Sequence, residues 1–540
     1  MTPAHIVILP IVLPLLAGAG LLLIDERRRA LKGSLAAATV MVLLLVAMQL
    51  VRIADGAAEI TTYRLGNWDM PFGIVLVLDR LSALMVLLTA VLAVAALMFA
   101  MARWHRGGSH FHSILLFLLV GLNGAFLTGD LFNLFVFLEV LLAASYGLVL
   151  HGSGRLRVRA GLHYIAINVA GAALLLIGIS LLYGVTGTLN IADLIVRVSA
   201  LSGTDRALAN AGAGILGIAL LLKAGMWPLC FWLVPAYSAA AAPVGAIFAV
   251  MTKLGVYTVL RLWLPLFGAQ ALPWAPLGGN WLLLGGAVTL VYGIVGVLSA
   301  QRLSQLASYS VLVSSGTLLA VVATGQTAGI AGALFYLVSS TLGISTLFLL
   351  IELLERGRDP TADLLAITRE SLPGEEDDAD DDVDEEVGIV IPGSLAFLGM
   401  AFAGSALLLA GLPPLSGFLG KVAILHGLFG ADSSLDGVAI DRARWIILTL
   451  LLLSGLVTVI AGSRIGVRTL WGEFDRNVPD VSPFEIAPIT LLLVLCVGLT
   501  LSAGPVLRYM EETAALLQAP ATYVEGVLGS SPDPEGLRLP

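Results

Sequence analysis

Charge is scarce in this chain. Of 540 residues only 12% are Asp, Glu, Lys or Arg, while 58% are hydrophobic. That balance excludes a soluble multidomain protein and points to a polytopic membrane protein. Cysteine is scarcer still. Cys230 and Cys496 are the only two, and both lie in apolar runs. They offer no disulfide framework, no CxxC pair and no metal cluster. A glycine-rich phosphate loop, an HExxH helix and a haem-attachment motif are also missing. The chain is therefore not expected to do redox or hydrolytic chemistry by itself, and no cofactor or metal is expected. Lysine is the most informative shortage. Against 25 arginines stand Lys32, Lys223, Lys253 and Lys421. Lys32 falls in a loop; the other three fall inside apolar segments. Arginine stays protonated in proteins, whereas lysine can give up its proton. Lysine is the cation to place where a proton must come and go.

What is abundant is apolar sequence in pieces of about 20 residues, the length of a membrane span. Fourteen segments can be marked, at 5–24, 33–53, 73–102, 113–129, 131–151, 161–184, 213–234, 242–263, 281–300, 305–325, 329–354, 394–429, 445–470 and 484–504. The first lacks a basic leader and an A-x-A site, so it reads as a span and not a cleaved signal. Alternate loops, starting with Arg27–Lys32, hold sixteen Lys and Arg; the opposite set with both tails holds ten. The richer set is expected in the cytoplasm, which puts both termini outside. The run Glu375–Glu386 carries ten acids in twelve residues and reads as a solvated, disordered loop. Gly184–Asn210 reads as amphipathic and loosely helical, Val506–Gln518 as an interfacial helix, and Pro532–Pro540 as a frayed tail.

The seventh segment holds ILGIALLLKAGMWPLCFWL, with Lys223 in its middle and Pro228 five residues on. A charge in hydrocarbon costs a few kcal/mol even on permissive scales, so an intramembrane lysine points to function. A proline break frees backbone groups that must line a cavity or meet protein. Broken helices with ionisable residues near the midplane are a recurrent way to build an ion site. The twelfth segment repeats the arrangement: Lys421 follows Pro413 and Pro414 by seven or eight residues. The two breaks lie five spans apart, which reverses their orientation and suggests inverted repeats, spans four to eight against nine to thirteen. Lys253 lies midway along the eighth segment. Glu139 is the one acid deep within a segment, nine residues or roughly 13 Å beyond Asp130. A carboxylate there either pairs with a lysine or stays neutral, and both states suit a proton relay. His426, five residues beyond Lys421, is a further candidate relay, or a packed histidine.

Four stretches, GDLFNLFVFLEVLLAASYGL, LLLKAGMWPLCFWL, QLASYSVL and AGLPPLSGFLGK, resemble the antiporter-like membrane subunits shared by Mrp-type cation/proton antiporters, complex I and membrane hydrogenases. GNWDMPFGIVLVLDRLSALMVLL and AGPVLRYMEETAALLQAP resemble the D subunits of the Mrp antiporters in particular. The resemblance covers nearly the whole chain apart from the acidic loop. It implies fourteen helices, a Glu on the fifth, lysines on broken helices seven and twelve, and a Lys on the eighth. Those positions are Glu139, Lys223, Lys421 and Lys253. The chain departs from the family on the eleventh span, where histidine and sometimes lysine occur. FYLVSSTLGISTLFLL offers Ser339, Ser340 and Thr341, with Ile344 where a lysine can stand. Water held by those serines and Tyr336 could substitute.

The expected fold is an all-α polytopic membrane protein of about fourteen transmembrane helices. Spans at 1–102 precede a first repeat at 113–263. A second, inverted repeat occupies 281–470 with the acidic loop at 370–388. The last span, interfacial helix and tail fill 484–540. The expected function is that of a proton-translocating subunit of a multisubunit monovalent cation (Na+)/H+ antiporter in a bacterial plasma membrane. Protons would pass along Glu139, Lys223, Lys253 and Lys421, with His426, Ser339, Ser340 and Tyr336 as auxiliaries. Its partners would be other membrane subunits, the exchanged ions and the bilayer, with no nucleic acid. Two alternatives remain: a subunit of a redox-driven proton pump, and a scaffold that conducts nothing.

Overall fold

The computed structural model describes residues 3–56, 60–68, 73–104, 110–152, 154–263, 275–356, 392–430, 438–470 and 481–529. The acidic run Glu375–Glu386 and the tail at 532–540 lie outside the described residues. Within them, the architecture is all-helical apart from one small antiparallel pair and two isolated bridges. The pair joins β1 (Thr61–Arg64) to β2 (Val75–Leu78), with Thr61 opposite Leu78. Twelve helices are long and apolar enough to cross a membrane. Leu9–Leu22 and Phe111–Leu127 are shorter apolar helices, and Ser416–Phe429 continues the span begun by Gly393–Ala410. Counted this way the spans number fourteen, in the order that hydropathy gives.

Polar side chains mark where several spans start. Asp79 Oδ1 accepts from the Ser82 amide at 2.9 Å while Ser82 Oγ accepts from the Asp79 amide at 2.9 Å, a reciprocal box that starts the third span, Arg80–Ala102. Asp130 accepts from the Asn133 amide at 2.8 Å and starts the fifth, Leu131–Leu150. Ser482 and Glu485 form a second box at the start of the fourteenth, Pro483–Leu501.

Several boundaries differ from the hydropathy reading; the third span, for one, starts at Arg80 and not at 73, because Val75–Leu78 is strand β2. The seventh span starts at Gly203, ten residues before its apolar run, because the polar stretch Thr204–Asn210 is still helical. Asp205 in its first turn complements the helix dipole. Upstream, Asn190 caps a short helix, Ile191–Ala200. Lys32 is also not in a loop. The second span, Arg29–Gly56, takes Lys32 into its first turn. There it is 2% exposed and donates to Glu26 Oε1 at 2.5 Å. Hydropathy stops a span short of Arg29 and Lys32, whereas helix geometry takes both in. Burial pushes the Glu26 carboxyl up, but the hydrogen bond and charge of Lys32, joined by His110, outweigh it and hold it below the usual range.

The helices are unequally buried. Spans eight (Ala242–Thr258, with a π turn at Val259–Trp263) and eleven (Thr327–Arg356) are buried in protein over their whole apolar length. Span ten (Leu303–Val322) is nearly so, whereas only 28% of the apolar window is buried in spans two and fourteen. A polar group on span eight or eleven therefore cannot reach a headgroup and must find its partner inside. The segment read as an interfacial helix, Val506–Gln518, is helical over Ala503–Leu517. It buries Met510, Ala514 and Leu517 and packs on span eleven. Tyr509 donates to the Arg80 carbonyl at 2.8 Å and Gln518 to the Gly325 carbonyl at 3.0 Å, so the helix is tied to the protein.

Candidate functional site: lysines at two helix breaks

The first half of span seven ends at Ala224, and Gly225 adopts the left-handed conformation, φ +73°, that terminates a helix. The chain turns through 226–232 before the second half, Leu233–Ala239. Lys223 is thus in the last turn before the break, where a positive head meets the negative end of the helix dipole. Its Nζ donates to Asn168 Oδ1 at 3.1 Å. Asn168 donates onward to the Tyr164 carbonyl at 2.9 Å, and the Tyr164 hydroxyl lies 2.7 Å from Ser145 Oγ. These residues come from spans five, six and seven. Glu139 lies on span five, near enough for its charge to act on Lys223 and Tyr146. Yet Glu139 Oε1 is buried with no hydrogen-bond partner. Among the described residues no hydrogen bond or ion pair joins the acid to the lysine, which is bonded to a neutral amide.

Lys253 lies on span eight and is wholly buried. Span eight crosses directly over the break in span seven: a Cβ on Gly255 would come within 2.3 Å of the Ala224 amide nitrogen and 2.7 Å of the Lys223 carbonyl carbon. Only glycine permits that approach. Lys253 Nζ donates to Ser314 Oγ on span ten at 2.7 Å, and Ser314 Oγ lies 2.9 Å from Ser340 Oγ on span eleven. Through Ser314, Ser340 thus brings span eleven to Lys253.

Span twelve breaks in the same manner. Gly393–Ala410 ends at a left-handed Gly411, φ +72°, and the chain resumes helix at Ser416. Both breaks read Ala-Gly-x-x-Pro, and both hold a cis X-Pro bond, Trp227–Pro228 and Pro413–Pro414. The lysines differ in placement. Lys223 precedes its break, whereas Lys421 follows its own and reaches back over it. Lys421 Nζ donates to the Ala410 carbonyl at 2.9 Å, to the Leu451 carbonyl at 3.3 Å and to Ser454 Oγ at 3.1 Å. It thereby satisfies a carbonyl that the helix end leaves open. Ser416 Oγ, at the start of the second half, lies 2.8 Å from Ser339 Oγ. His426 is not brought to this group. Five residues around the helix from Lys421, it is exposed on the outer face.

The chain thus gathers Lys223, Lys253 and Lys421 into three hydrogen-bonded groups, linked by Gly255 against Lys223 and by adjacent Ser339 and Ser340. Among the described residues no continuous hydrogen-bonded path joins the groups, and all three ammonium groups bond only to neutral partners. The sequence reading missed Asn168, Ser314 and Ser454. Their signal was a polar residue inside an apolar run, too common to single them out. It also missed two ionic clusters at the span ends. Arg261 on the π turn makes a two-pronged bridge to Asp79 at 2.5 and 2.9 Å. Elsewhere Arg356 bridges Glu352 at 2.7 Å and Glu485 at 2.9 Å, with Trp104 donating to Glu352 at 2.6 Å.

A family model described as "NADH:quinone oxidoreductase/Mrp antiporter, TM" matches residues 128–370. Over 530 residues the chain is 55% identical to the D subunit of a probable K+/H+ antiporter of Rhizobium meliloti, covering 97% of this chain and 98% of that protein. It is 32% identical over 531 residues to the D subunit of the Na+/H+ antiporter of Alkalihalophilus pseudofirmus, covering 97% and 99%. Among solved structures it is similar to a chain of the Mrp complex from Dietzia sp., with a TM-score of 0.78 at 25% identity over 98% of this chain and 100% of that one.

Proposed function

The chain belongs to the D subunits of the multisubunit monovalent cation/proton antiporters, and on that premise we propose that it carries protons through the membrane by way of Lys223, Lys253 and Lys421. It is a transporter subunit and not an enzyme. Other membrane subunits of the antiporter are its partners, and its membrane is the bacterial plasma membrane with both termini outside. Potassium stands in the name of one relative and sodium in that of another, so the exchanged ion is an alkali cation. Spans four to eight and nine to thirteen are read as inverted repeats, a reading supported by the matching Ala-Gly-x-x-Pro breaks.

The observation that carries this reading is the set of neutral partners. An ammonium group paired with a carboxylate leaves a buried anion behind when it loses its proton, which is costly. One held by an amide, a hydroxyl or a carbonyl leaves none. Lys253 can pass a proton to the Ser314 hydroxyl, which is hydrogen-bonded to Ser340, and span eleven then presents Ser339 to Ser416 beside the second break. Glu139 acts as the movable counter-charge at Lys223: unbonded, it is free to approach and recede. His426, on the outer face, is left out of the route.

The test is cation/proton exchange in inverted vesicles holding the assembled complex. Lys253→Met keeps the volume and removes the titratable group; it is expected to abolish exchange. Ser340→Ala is expected to slow exchange without loss of assembly. Full exchange by Lys253→Met would reduce the buried lysine to a structural feature and favour the scaffold reading.

A further inference from the structure

Where span six, Arg155–Thr186, begins, a cavity of about 910 Å³ opens between it, the second half of span seven and the start of span ten. Its wall includes Arg155, Arg159, His163, Ser238, Arg302 and Gln305, and among the described residues no acidic one lines it. Arg157, which also lines it, is already engaged. It donates to the Ala239 carbonyl at 2.8 Å and the His151 carbonyl at 2.7 Å, and it stands over the Trp104 ring. Arg155, Arg159 and Arg302 are different. All three are exposed, and among the described residues their guanidinium groups have no hydrogen bond or ion pair. The helices that start at Arg155 and Leu303 also begin here, and no side chain caps either one. Three unpaired cations and two open helix starts around one cavity make a strong site for an anion.

Beside the cavity, and continuing from Leu156 in its wall, the surface is apolar. Leu156 is 76% exposed and Leu162 60%, on the span-six helix that descends from the arginines. Phe231, in the unwound stretch of span seven, is 48% exposed and lies against the His163 ring at 5.5 Å. Arginines at the end of a span sit at headgroup depth, and this apolar wall runs inward from them. We propose that the cavity binds an anionic phospholipid. Its phosphate sits on Arg155, Arg159 and Arg302, and its acyl chains lie on Leu156, Leu162 and Phe231. A soluble phosphate would use the arginines and leave the apolar wall bare.

The test uses the purified, delipidated antiporter complex in neutral detergent. Dioleoylphosphatidylglycerol and dioleoylphosphatidylcholine are titrated separately, with inorganic phosphate as a third arm. Bound lipid is read by native mass spectrometry and Tm by thermal unfolding. The glycerol lipid is expected to bind at least about tenfold more tightly than the choline lipid and to raise Tm, and phosphate is expected to do neither. Each arginine near a headgroup is worth about fivefold in affinity, so Arg155→Gln, Arg159→Gln and Arg302→Gln together should weaken binding on the order of a hundredfold. Arg302→Gln alone, expected to cost about fivefold, keeps the question answerable if the triple variant does not assemble. A photo-reactive residue at Ser238 in native membranes should form a lipid adduct. Equal binding of the two lipids, unchanged binding by both variants, competition by phosphate, or a protein adduct at Ser238 would each overturn the proposal.

Discussion

Asn168 decides how Lys223 is held. A hydrogen bond to a charged group contributes about 1.5–3 kcal/mol, and a buried ammonium left without one bears the cost in full. Asn168→Leu removes the amide and leaves Glu139 and Lys223 in place. We expect exchange to fall roughly ten- to hundredfold in vesicles, with the complex still assembled. A rate equal to wild type would show that Asn168 is a bystander. The lysines were legible in the sequence because a charge stands out in an apolar run. Their partners were not, because they are neutral and distant: Asn168, Ser314 and Ser454 lie 55, 61 and 33 residues from the lysines they meet. Asn and Ser cost little in a helix interior, so hydropathy passes over them. His426 shows the converse. It is titratable and close in sequence, but the helical turn carries it to the outer face.

At the scale of elements, the contact between span eleven and the second half of span twelve sets the Ser339–Ser416 bond. The two helices meet through glycine. A Cβ on Gly332 would lie 2.4 Å from the Ile424 amide nitrogen, a backbone atom that cannot step aside. Gly332→Ala must therefore push the helices apart. Overpacking of this kind costs about 1–3 kcal/mol. The expected result is a lower Tm of the complex and weaker exchange, while Gly214→Ala, with nothing within 4 Å, should change neither. Equal Tm values for the two variants would mean that the contact is looser than described. The breaks themselves were legible, since proline inside an apolar run has few readings. Which side of the break each lysine occupies follows from residue order alone. What Lys421 does there was not legible, because reaching back to the Ala410 carbonyl depends on how the two halves fold over each other. The early start of span seven escaped notice because its first two turns are polar.

For the whole molecule, the loop-charge bias places the loop between spans nine and ten in the cytoplasm and the loop between spans ten and eleven outside. Gln301 and Thr327 are exposed in these two places, and the native Cys230 and Cys496 are buried, so the background is silent. An impermeant thiol reagent added to intact cells should label Thr327→Cys and spare Gln301→Cys; the reverse pattern would invert the molecule in its membrane. The central claim is that positive charge at the seventh-span break must come and go. Arginine keeps the charge and holds its proton throughout the accessible range, with a pKa above ~12. The direct measurement is cation/proton exchange by Lys223→Arg in inverted vesicles, with Lys223→Ala as the control for assembly. The account predicts a variant that assembles and does not exchange. Robust exchange by Lys223→Arg from about pH 7 to 9 would contradict it and leave Lys223 a fixed structural charge.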